Sequence, residues 1–248
     1  MQEFKLPKDF LLGSATAATQ IDGGDVNNNW YYWRLDGKIE NEDSPIIADN
    51  HYVLYKEDIE LMKTLEHEIY RLSVDWSRIE PEKGVWNEEG LEHYRDELNY
   101  LLMHNIKPLV TLHHFSCPQW FQEDIGWDNP DSVYYFTRYV KKIVNYIGDL
   151  VSEYCTINEP NVLANESYVD GTFPLGIKNN TKLFFKSSKH MIISHLKSYK
   201  IIHDIRKKKG YKDTKFKGDI CTYYLYHMGY VIYTSKYTLL IFICIIDK

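Results

Sequence analysis

The sequence predicts an α/β fold in which a parallel β-sheet is covered by helices. Short β-prone runs alternate with longer segments whose apolar residues recur at helical spacing. The run "PLVTL" (residues 108–112) is almost entirely apolar, which is typical of a strand buried on both faces of a parallel sheet. Polar and aromatic residues follow directly after three of the runs. These three observations favour a sheet that presents a functional site at one edge.

The strands and helices are predicted in alternating order along the chain. The strand candidates are residues 10–15, 68–76, 106–114, 154–158 and 218–226. The helical patterns between them are Tyr55, Ile59, Met62 and Leu65; Leu91, Tyr94, Leu98 and Leu101; Val133, Phe136, Val140, Ile143, Val144 and Ile147; and Ile192, Leu196, Tyr199, Ile202 and Ile205. Asn87 is expected to cap the second helix, and Asp131 or Ser132 to start the third. The fourth is expected to end at the basic run 206–209 before Gly210.

Two architectures fit this alternation: a doubly wound open sheet and a (β/α)8 barrel. No G-x-G-x-x-G or G-x-x-x-x-G-K follows a strand candidate, so nucleotide binding has no support. The strand ends read "VDW", "LHHF" and "INEP". Because a barrel assembles its active site from the C-terminal ends of its strands, these ends favour the barrel.

Composition excludes several classes of function. The net charge of −6 argues against a general nucleic-acid partner. The four cysteines form no C-x-x-C pair and the first ten residues carry no apolar signal core, so a reducing, cytoplasmic setting is expected. His113 and His114 are adjacent and should point to opposite faces of a strand, and no metal-ligand spacing occurs. The apolar run 239–246 is too short to span a membrane.

Five ordered motifs resemble family 1 of the glycoside hydrolases, the β-glucosidase and 6-phospho-β-glycosidase family. They are "FLLGSATAATQIDGG" (10–24), "YKEDIELMK" (55–63), "YRLSVDWSRIEPEKG" (70–84), "VTLHHFSCPQWF" (110–121) and "TINEP" (156–160). The resemblance implies a (β/α)8 TIM barrel, of which this chain holds about the first five βα units. It also implies an O-glycosyl hydrolase that retains configuration, needs no cofactor and acts on a β-linked oligosaccharide or an aryl or alkyl β-glycoside.

The resemblance assigns a role to five residues. Glu159 is expected to be the general acid/base. Asn158 is expected to bind the sugar 2-hydroxyl, and Gln20 and His114 other hydroxyls of the same sugar. Arg71 is expected beside the nucleophilic carboxylate, which it would keep ionised.

Some positions depart from the usual family pattern. They are Thr19 in place of an aromatic residue, Asp22 in place of glutamate, Asp75 where several members have serine and others an acid, and Phe115 in place of tryptophan. These changes leave the expected contacts intact but leave substrate preference open. Trp120 and Trp127 are either walls of the aglycone side or core residues.

The second carboxylate of a retaining glycosidase is not found in the sequence. The resemblance places the nucleophile in a T-E-N-G motif, and no such motif occurs in the 248 residues. From about residue 229 the sequence no longer resembles the family. We therefore expect residues 1–228 to be the N-terminal part of the barrel and residues 229–248 an aberrant apolar tail from a truncated or frame-shifted reading.

Three functional hypotheses follow. The first is a β-glycosidase whose 248-residue chain is inactive and poorly soluble or partly folded, because an open sheet exposes a strand edge. The second is a sugar-binding pseudoenzyme that uses Gln20, His114 and Asn158 without turnover. The third is a half-barrel that is complemented by another chain.

Overall fold

Four parallel strands form the sheet of the computed structural model, which describes Pro7 and residues 10–211. The strands are β1 (Gly13–Ala15), β2 (Ile69–Ser73), β3 (Lys107–Thr111) and β4 (Glu153–Cys155). Their spatial order is β1-β2-β3-β4, so every crossover adds its strand on the same side. A doubly wound sheet reverses direction, whereas a barrel does not, and the described residues therefore follow the barrel order.

Helices connect these strands and cover one face of the sheet. They are α1 (Ala18–Ile21), α2 (Asn29–Leu35), α3 (His51–Thr64), α4 (Trp76–Ile79), α5 (Glu88–Met103), α6 (Gln119–Asp124), α7 (Ser132–Ile147), α8 (Pro160–Asn165) and α9 (Thr181–Lys209). A 3-10 turn occupies Glu40–Glu42 and a π-helical turn Glu166–Asp170. The long helices α3, α5 and α7 are the crossovers between the described strands, and α9 follows β4. The short helices α1, α2, α4, α6 and α8 lie in the loops that follow strand ends. No described helix is long and apolar enough to cross a membrane.

Each of the first three strand candidates contains an observed strand, and the fourth, residues 154–158, overlaps β4 at Tyr154 and Cys155. The fifth, residues 218–226, lies outside the described residues. The predicted tail, residues 229–248, also lies outside them. The strands β2, β3 and β4 end before their candidates do, because each of these β-prone runs continues into the loop that carries its polar end. β1 instead lacks the start of its candidate, since only residues 13–15 pair with β2.

The main core lies between the outer face of the sheet and the crossover helices. Tyr70, Leu72 and Val110 are buried on this face. Helices α5 and α7 cover them with one apolar face each. Those faces comprise Leu91, Tyr94, Leu98 and Leu101 on α5, and Val133, Phe136, Val140, Ile143, Val144 and Ile147 on α7. Both faces were predicted from helical spacing, and both are confirmed.

Helix boundaries follow local chemistry. The Asn87 side chain accepts a hydrogen bond from the Glu89 amide at 3.1 Å, which confirms it as the cap of α5. Helix α7 begins at Ser132, although Asp131 makes no side-chain capping bond. Helix α9 ends where Gly210 adopts a left-handed conformation with φ 65°.

The predicted apolar faces of α3 and α9 are only partly correct. In α9, Ile202 is buried, but the buried face is otherwise built from Ser187, Met191, Ser194, Ser198 and Arg206. Ile192, Leu196 and Tyr199 are exposed instead. In α3, Ile59 is buried, whereas Leu65 follows the helix and is exposed. The remaining predicted residues, Tyr55 and Met62 of α3 and Ile205 of α9, are partly buried and pack against the core as expected.

Candidate active site

The C-terminal ends of the four strands are joined by backbone hydrogen bonds that continue past the regular sheet. The Thr16 amide donates to the Arg71 carbonyl at 2.9 Å, and the Val74 amide to Thr111 at 3.0 Å. The Asn158 amide donates to the His113 carbonyl at 2.8 Å. The loops that carry the sequence motifs therefore begin from one rigid edge.

Arg71 lies on the inner face of β2 and reaches across β3 to β4. Its Nε donates to Thr111 Oγ1 at 2.8 Å, and one terminal nitrogen donates to Asn158 Oδ1 at 2.6 Å. The same nitrogen lies 3.6 Å from Cys155 Sγ. All of these partners are neutral, and Arg71 forms no ion pair with any residue of the described part. The site thus holds a guanidinium whose charge no described carboxylate neutralises.

Glu159 is held in an unusual backbone conformation directly after Asn158. Its φ of 39° and ψ of 60° are left-handed, which costs a non-glycine residue about 1–2 kcal/mol. Pro160 then starts α8 and is buried, so the chain turns sharply after the glutamate. Its side chain is half-buried and makes no hydrogen bond with a described residue. The turn fixes the backbone of Glu159 and leaves its carboxylate available.

His113 and His114 lie just beyond β3 and have different neighbours. His113 is buried against Trp127, whose Nε1 donates to His113 Nε2 at 3.3 Å. His114 contacts Phe115 and lies near Arg71. Burial lowers the pKa of both rings to about 3, and for His114 the nearby Arg71 charge adds to this effect. Both imidazoles are therefore neutral at pH 7, and His114 can donate or accept only through a neutral ring.

Gln20 lies on α1, in the loop that follows β1, and its side chain is exposed. It makes no side-chain hydrogen bond to a described residue. Its helix is attached to the site edge because the Ala18 amide donates to Ser73 Oγ at 2.7 Å. The structure joins Arg71 to Asn158 directly, but it shows no contact of Gln20 with either of them.

An aromatic cluster beside His114 was missed by the sequence analysis. The rings of Phe115 and Phe173 lie 5.3 Å apart, and Trp30 contacts Phe173 at 5.0 Å. Trp30 Nε1 also donates to the Phe115 carbonyl at 3.1 Å. The three residues come from three separate loops, so no local pattern could have grouped them.

The loop that carries Phe173 is fixed by close packing. Gly176 has φ 64°, and an added Cβ there would lie 2.7 Å from the Trp33 ring. Only glycine fits this approach. Phe173 is therefore held in place beside Trp30.

Trp120 and Trp127 both pack against the core. Trp127 is buried against Phe136, while Trp120 is half-buried and packs edge-on against Trp76. Trp127 also lines a small cavity together with His113, so its interpretation as a wall of the aglycone side stays a prediction.

Buried acids lie behind the site edge. Asp75 caps α4 and accepts a hydrogen bond from Ser77 Oγ at 2.6 Å, and the same hydroxyl also bonds Asp25. Burial, together with the Asp25 charge, raises the pKa of Asp75 to about 6. Burial and Glu97 raise the pKa of Asp22 to about 8, despite the opposing charge of Arg78 3.7 Å away. Two positions that depart from the family pattern, Asp22 and Asp75, thus carry the buried acids with raised pKa values.

Residues 2–229 match the sequence profile described as glycosyl hydrolase family 1. The chain belongs to this family. It is 36% identical over 212 residues to β-glucosidase A of Acetivibrio thermocellus, covering 83% of this chain and 47% of that protein. It is 30% identical over 236 residues to a 6-phospho-β-galactosidase of Clostridium acetobutylicum, covering 92% of this chain and 47% of the relative.

Solved structures of family members share the fold. The β-glucosidase of Thermotoga maritima in complex with glucoimidazole superimposes with a TM-score of 0.79 at 31% identity, over 82% of this chain and 48% of that one. An enzyme from Alicyclobacillus herbarius gives the same TM-score at 34% identity, over 83% and 48%. The family member described here is an N-terminal portion that spans about half the length of these relatives and forms an incomplete (β/α)8 barrel.

Proposed function

We propose that this chain is the acid/base half of a retaining β-glycosidase. The observation that carries the proposal is the bond from Arg71 to Asn158 beside Glu159, at the joined ends of β2 and β4. Retaining hydrolysis needs a protonated acid at the leaving oxygen and an ionised nucleophile about 5–5.5 Å from it. In this proposal Glu159 is the acid, and Arg71 is the cation that would neutralise the ionised nucleophile.

In this proposal Glu159 moves the protons. It gives its proton to the glycosidic oxygen as that bond breaks, and the resulting carboxylate then takes a proton from the incoming water. Its half-buried position and free carboxylate suit a group that must reach both the leaving group and water. The strained turn before Pro160 suits the same task, since strain persists where the surrounding structure fixes it.

Asn158, His114 and Gln20 are proposed to bind the sugar. The Arg71 bond to Asn158 Oδ1 orients that amide, so its NH2 group points away from the guanidinium toward any ligand. His114 contributes a neutral ring that can hydrogen-bond a hydroxyl. Gln20 is exposed after β1 and has its side-chain amide free among the described residues.

The substrate is proposed to be a β-glucoside or β-galactoside, plain or phosphorylated at the 6-position. Support comes from relatives named β-glucosidase and 6-phospho-β-galactosidase. The cluster of Trp30, Phe115 and Phe173 adds an apolar surface beside His114, which suits an aryl or alkyl aglycone.

A fusion protein tests the acid/base role. Residues 1–211 are joined to the remaining half of the Acetivibrio thermocellus β-glucosidase A, giving a completed barrel. In this fusion, Glu159→Gln should slow hydrolysis of an alkyl β-glucoside by about 100-fold or more, because a poor leaving group needs the acid. A 2,4-dinitrophenyl β-glucoside needs no proton, so its first step should be nearly unchanged.

Glu123→Gln serves as the control, since this exposed glutamate on α6 bonds only Gln119 among the described residues. Equal losses on both substrates would refute the assigned role of Glu159. If the fusion is inactive, co-expression of the two halves as separate chains distinguishes a faulty junction from an incompatible half.

Sugar binding without turnover is the second candidate. It is favoured by the Arg71–Asn158–Thr111 network, which is already formed without a second carboxylate. Equilibrium dialysis of labelled glucose or cellobiose against the 248-residue chain tests it. Binding that is abolished by Asn158→Ala supports this candidate, and absence of binding removes it.

A further inference from the structure

A serine hydroxyl lies between two buried carboxylates behind the site edge. Ser77 Oγ is 2.6 Å from Asp75 Oδ1 and 2.5 Å from Asp25 Oδ2. All three residues are buried. A hydroxyl has one proton, so it can donate to only one of the two acids. Both short contacts are hydrogen bonds only when the other acid is protonated and donates to Ser77.

The neighbours of the two acids indicate which one holds the proton. Asp25 accepts hydrogen bonds from the Asn27 backbone amide at 2.9 Å and from the Asn28 side-chain amide at 3.0 Å. Both of these nitrogens only donate, so they favour the ionised form of Asp25. Asp75 accepts a longer bond, from the Ser77 backbone amide at 3.3 Å. The hydrogen bonds therefore run from a protonated Asp75 to the Ser77 hydroxyl, and from that hydroxyl to an ionised Asp25.

Asp75 changes its protonation state near pH 6. Burial and the Asp25 charge raise the pKa of Asp75 to about 6, against the opposing charge of Arg78 on α4. Asp22 at the end of α1 keeps its proton to a higher pH, because burial raises its pKa to about 8. The other titratable neighbours are kept protonated by burial, which raises the pKa of each; they are Tyr94 on α5, Cys117 after β3 and Tyr139 on α7.

Asp25 is connected to the helix that carries Trp30. Asn28, which donates to Asp25, also caps α2, because its side-chain oxygen accepts from the Tyr31 amide at 2.8 Å. Trp30 lies in the first turn of α2. The position of this turn therefore depends on the bond between Asn28 and Asp25.

Asp75 is connected to the loop that carries Phe115. Ser116, the next residue, is buried and donates from its hydroxyl to Asp75 at 3.3 Å. Phe115 itself has a left-handed backbone with φ 65°, a conformation that persists only where neighbouring groups fix it. Its carbonyl accepts the bond from Trp30 Nε1. The two loops joined by the acids are thus the loops that meet in the aromatic cluster.

We infer that Asp75 is a positioning residue, which in its protonated form holds Trp30 against Phe115. When the proton is lost, two carboxylates face a hydroxyl that can donate to only one of them, and their like charges repel. The two loops should then separate and the ring contacts weaken. The positioning does not require catalysis, whereas its effect on an aglycone rests on the proposed function.

Fluorine NMR of the 248-residue chain, labelled with fluorotryptophan, tests the inference between pH 5 and 7. The Trp30 signal, assigned with Trp30→Phe, should shift with a midpoint near pH 6, because Asp75 titrates there. The signal of Trp127, which is buried in the core, should stay constant. A Trp30 signal that does not change across this range would overturn the inference.

Asp75→Asn separates the proton from the shape of the side chain. Its amide donates to Ser77 at every pH, so the Trp30 signal should stay at its acid position up to pH 7. Asp75→Ala, which cannot donate, should give a signal displaced from the acid position at both pH values. Asp36→Asn is the matched control, since Asp36 is an exposed aspartate at the end of α2, and it should keep the wild-type midpoint. A wild-type midpoint in Asp75→Asn would overturn the inference.

The fusion with the Acetivibrio thermocellus half tests the consequence for an aglycone. From pH 5 to 7, KM for p-nitrophenyl β-glucoside should rise about 2- to 10-fold more in the parent fusion than in its Asp75→Asn form, as expected for one aromatic contact. An equal rise in both would overturn the effect on the aglycone. An inactive fusion would count against the proposed function alone, because the NMR shift is measured without turnover.

Discussion

The surroundings of Arg71 indicate that its site lacks a negatively charged partner among the described residues. Its guanidinium donates to Thr111 and Asn158, both neutral, and both buried or nearly so. A cation in such surroundings is stabilised by an anion, and within the described residues none is paired with it. In the proposed function, that anion is a nucleophilic carboxylate contributed by the other half of a barrel.

The paired histidines give a prediction that needs no substrate. Because burial lowers the pKa of His113 and His114 to about 3, their ring protons should not titrate between pH 5 and 8. Proton NMR of the histidine C2–H signals, assigned with His113→Gln and His114→Gln, measures this.

The same chain in urea is the control, because unfolded histidines titrate near 6.5. Titration of His114 near pH 6.5 in the folded chain would show that its ring is solvated. Its proposed role as a neutral sugar contact would then fail.

At the level of residues, the sequence pointed to residues that lie within one motif. It did not reveal residues that come from separate segments of the chain and meet only in the fold. Asn158 and Glu159 were singled out as site candidates because they are adjacent after an apolar run, and their roles stay predictions. Trp30 and Phe173 are 143 positions apart and meet only through the fold. Thr111 was visible only as part of a strand, although its hydroxyl holds Arg71.

Helix α9 is the element where apolar spacing pointed to the wrong face. Its buried face contains Ser187, Ser194 and Ser198, whose small side chains allow close approach to α7. The larger apolar residues Ile192 and Leu196 lie on the exposed flank instead. A helix in a barrel has apolar residues toward the sheet and toward both neighbouring helices, so spacing alone cannot say which of these contacts the described chain contains.

The acids and His51 between α1, α3 and α5 predict how stability depends on pH. Asp22, with a pKa near 8, holds a proton in the folded chain that the unfolded chain releases near pH 4. Burial lowers the pKa of His51, but the hydrogen bond from His51 to Glu97 has the larger effect, and the pKa of His51 rises to about 9. Both folded groups bind more protons than the unfolded chain between pH 6.5 and 8. The free energy of unfolding should therefore fall across this window.

Urea unfolding followed by tryptophan fluorescence at pH 6.5 and 8 measures the effect. Asp22→Asn mimics the protonated acid and should make the fall smaller, whereas Asp36→Asn, an exposed control, should not. A fall that is equally steep in Asp22→Asn would show that Asp22 is ionised in the folded protein.

For the whole molecule, the order of strands was predictable because each one ends in a recognisable motif. The open ends of the sheet were not predictable, because the sequence of a barrel strand does not depend on whether the neighbouring strand is present. The division at residue 228 stays a prediction, because residues 212–248 lie outside the described part.

The 248-residue chain alone should not hydrolyse an aryl β-glucoside. Its sequence holds the proposed acid but no T-E-N-G carboxylate, so the covalent intermediate cannot form. Release of p-nitrophenol from p-nitrophenyl β-glucoside, followed at high protein concentration, measures this. Turnover that is lost in Glu159→Gln would mean that a different carboxylate of this chain serves as the nucleophile.

The contact of Trp30 with Phe115 and Phe173 also has an optical consequence. Trp30 is half-buried at the aromatic cluster, whereas Trp76 and Trp127 belong to the core and Trp86 and Trp120 pack against it. A molecule that covers the Trp30 indole would exclude water from it and shift its emission to shorter wavelength, with little effect on the core indoles. Trp30→Phe would delete that component of the spectrum. The protein thus carries its own fluorescent reporter at the mouth of the half-barrel.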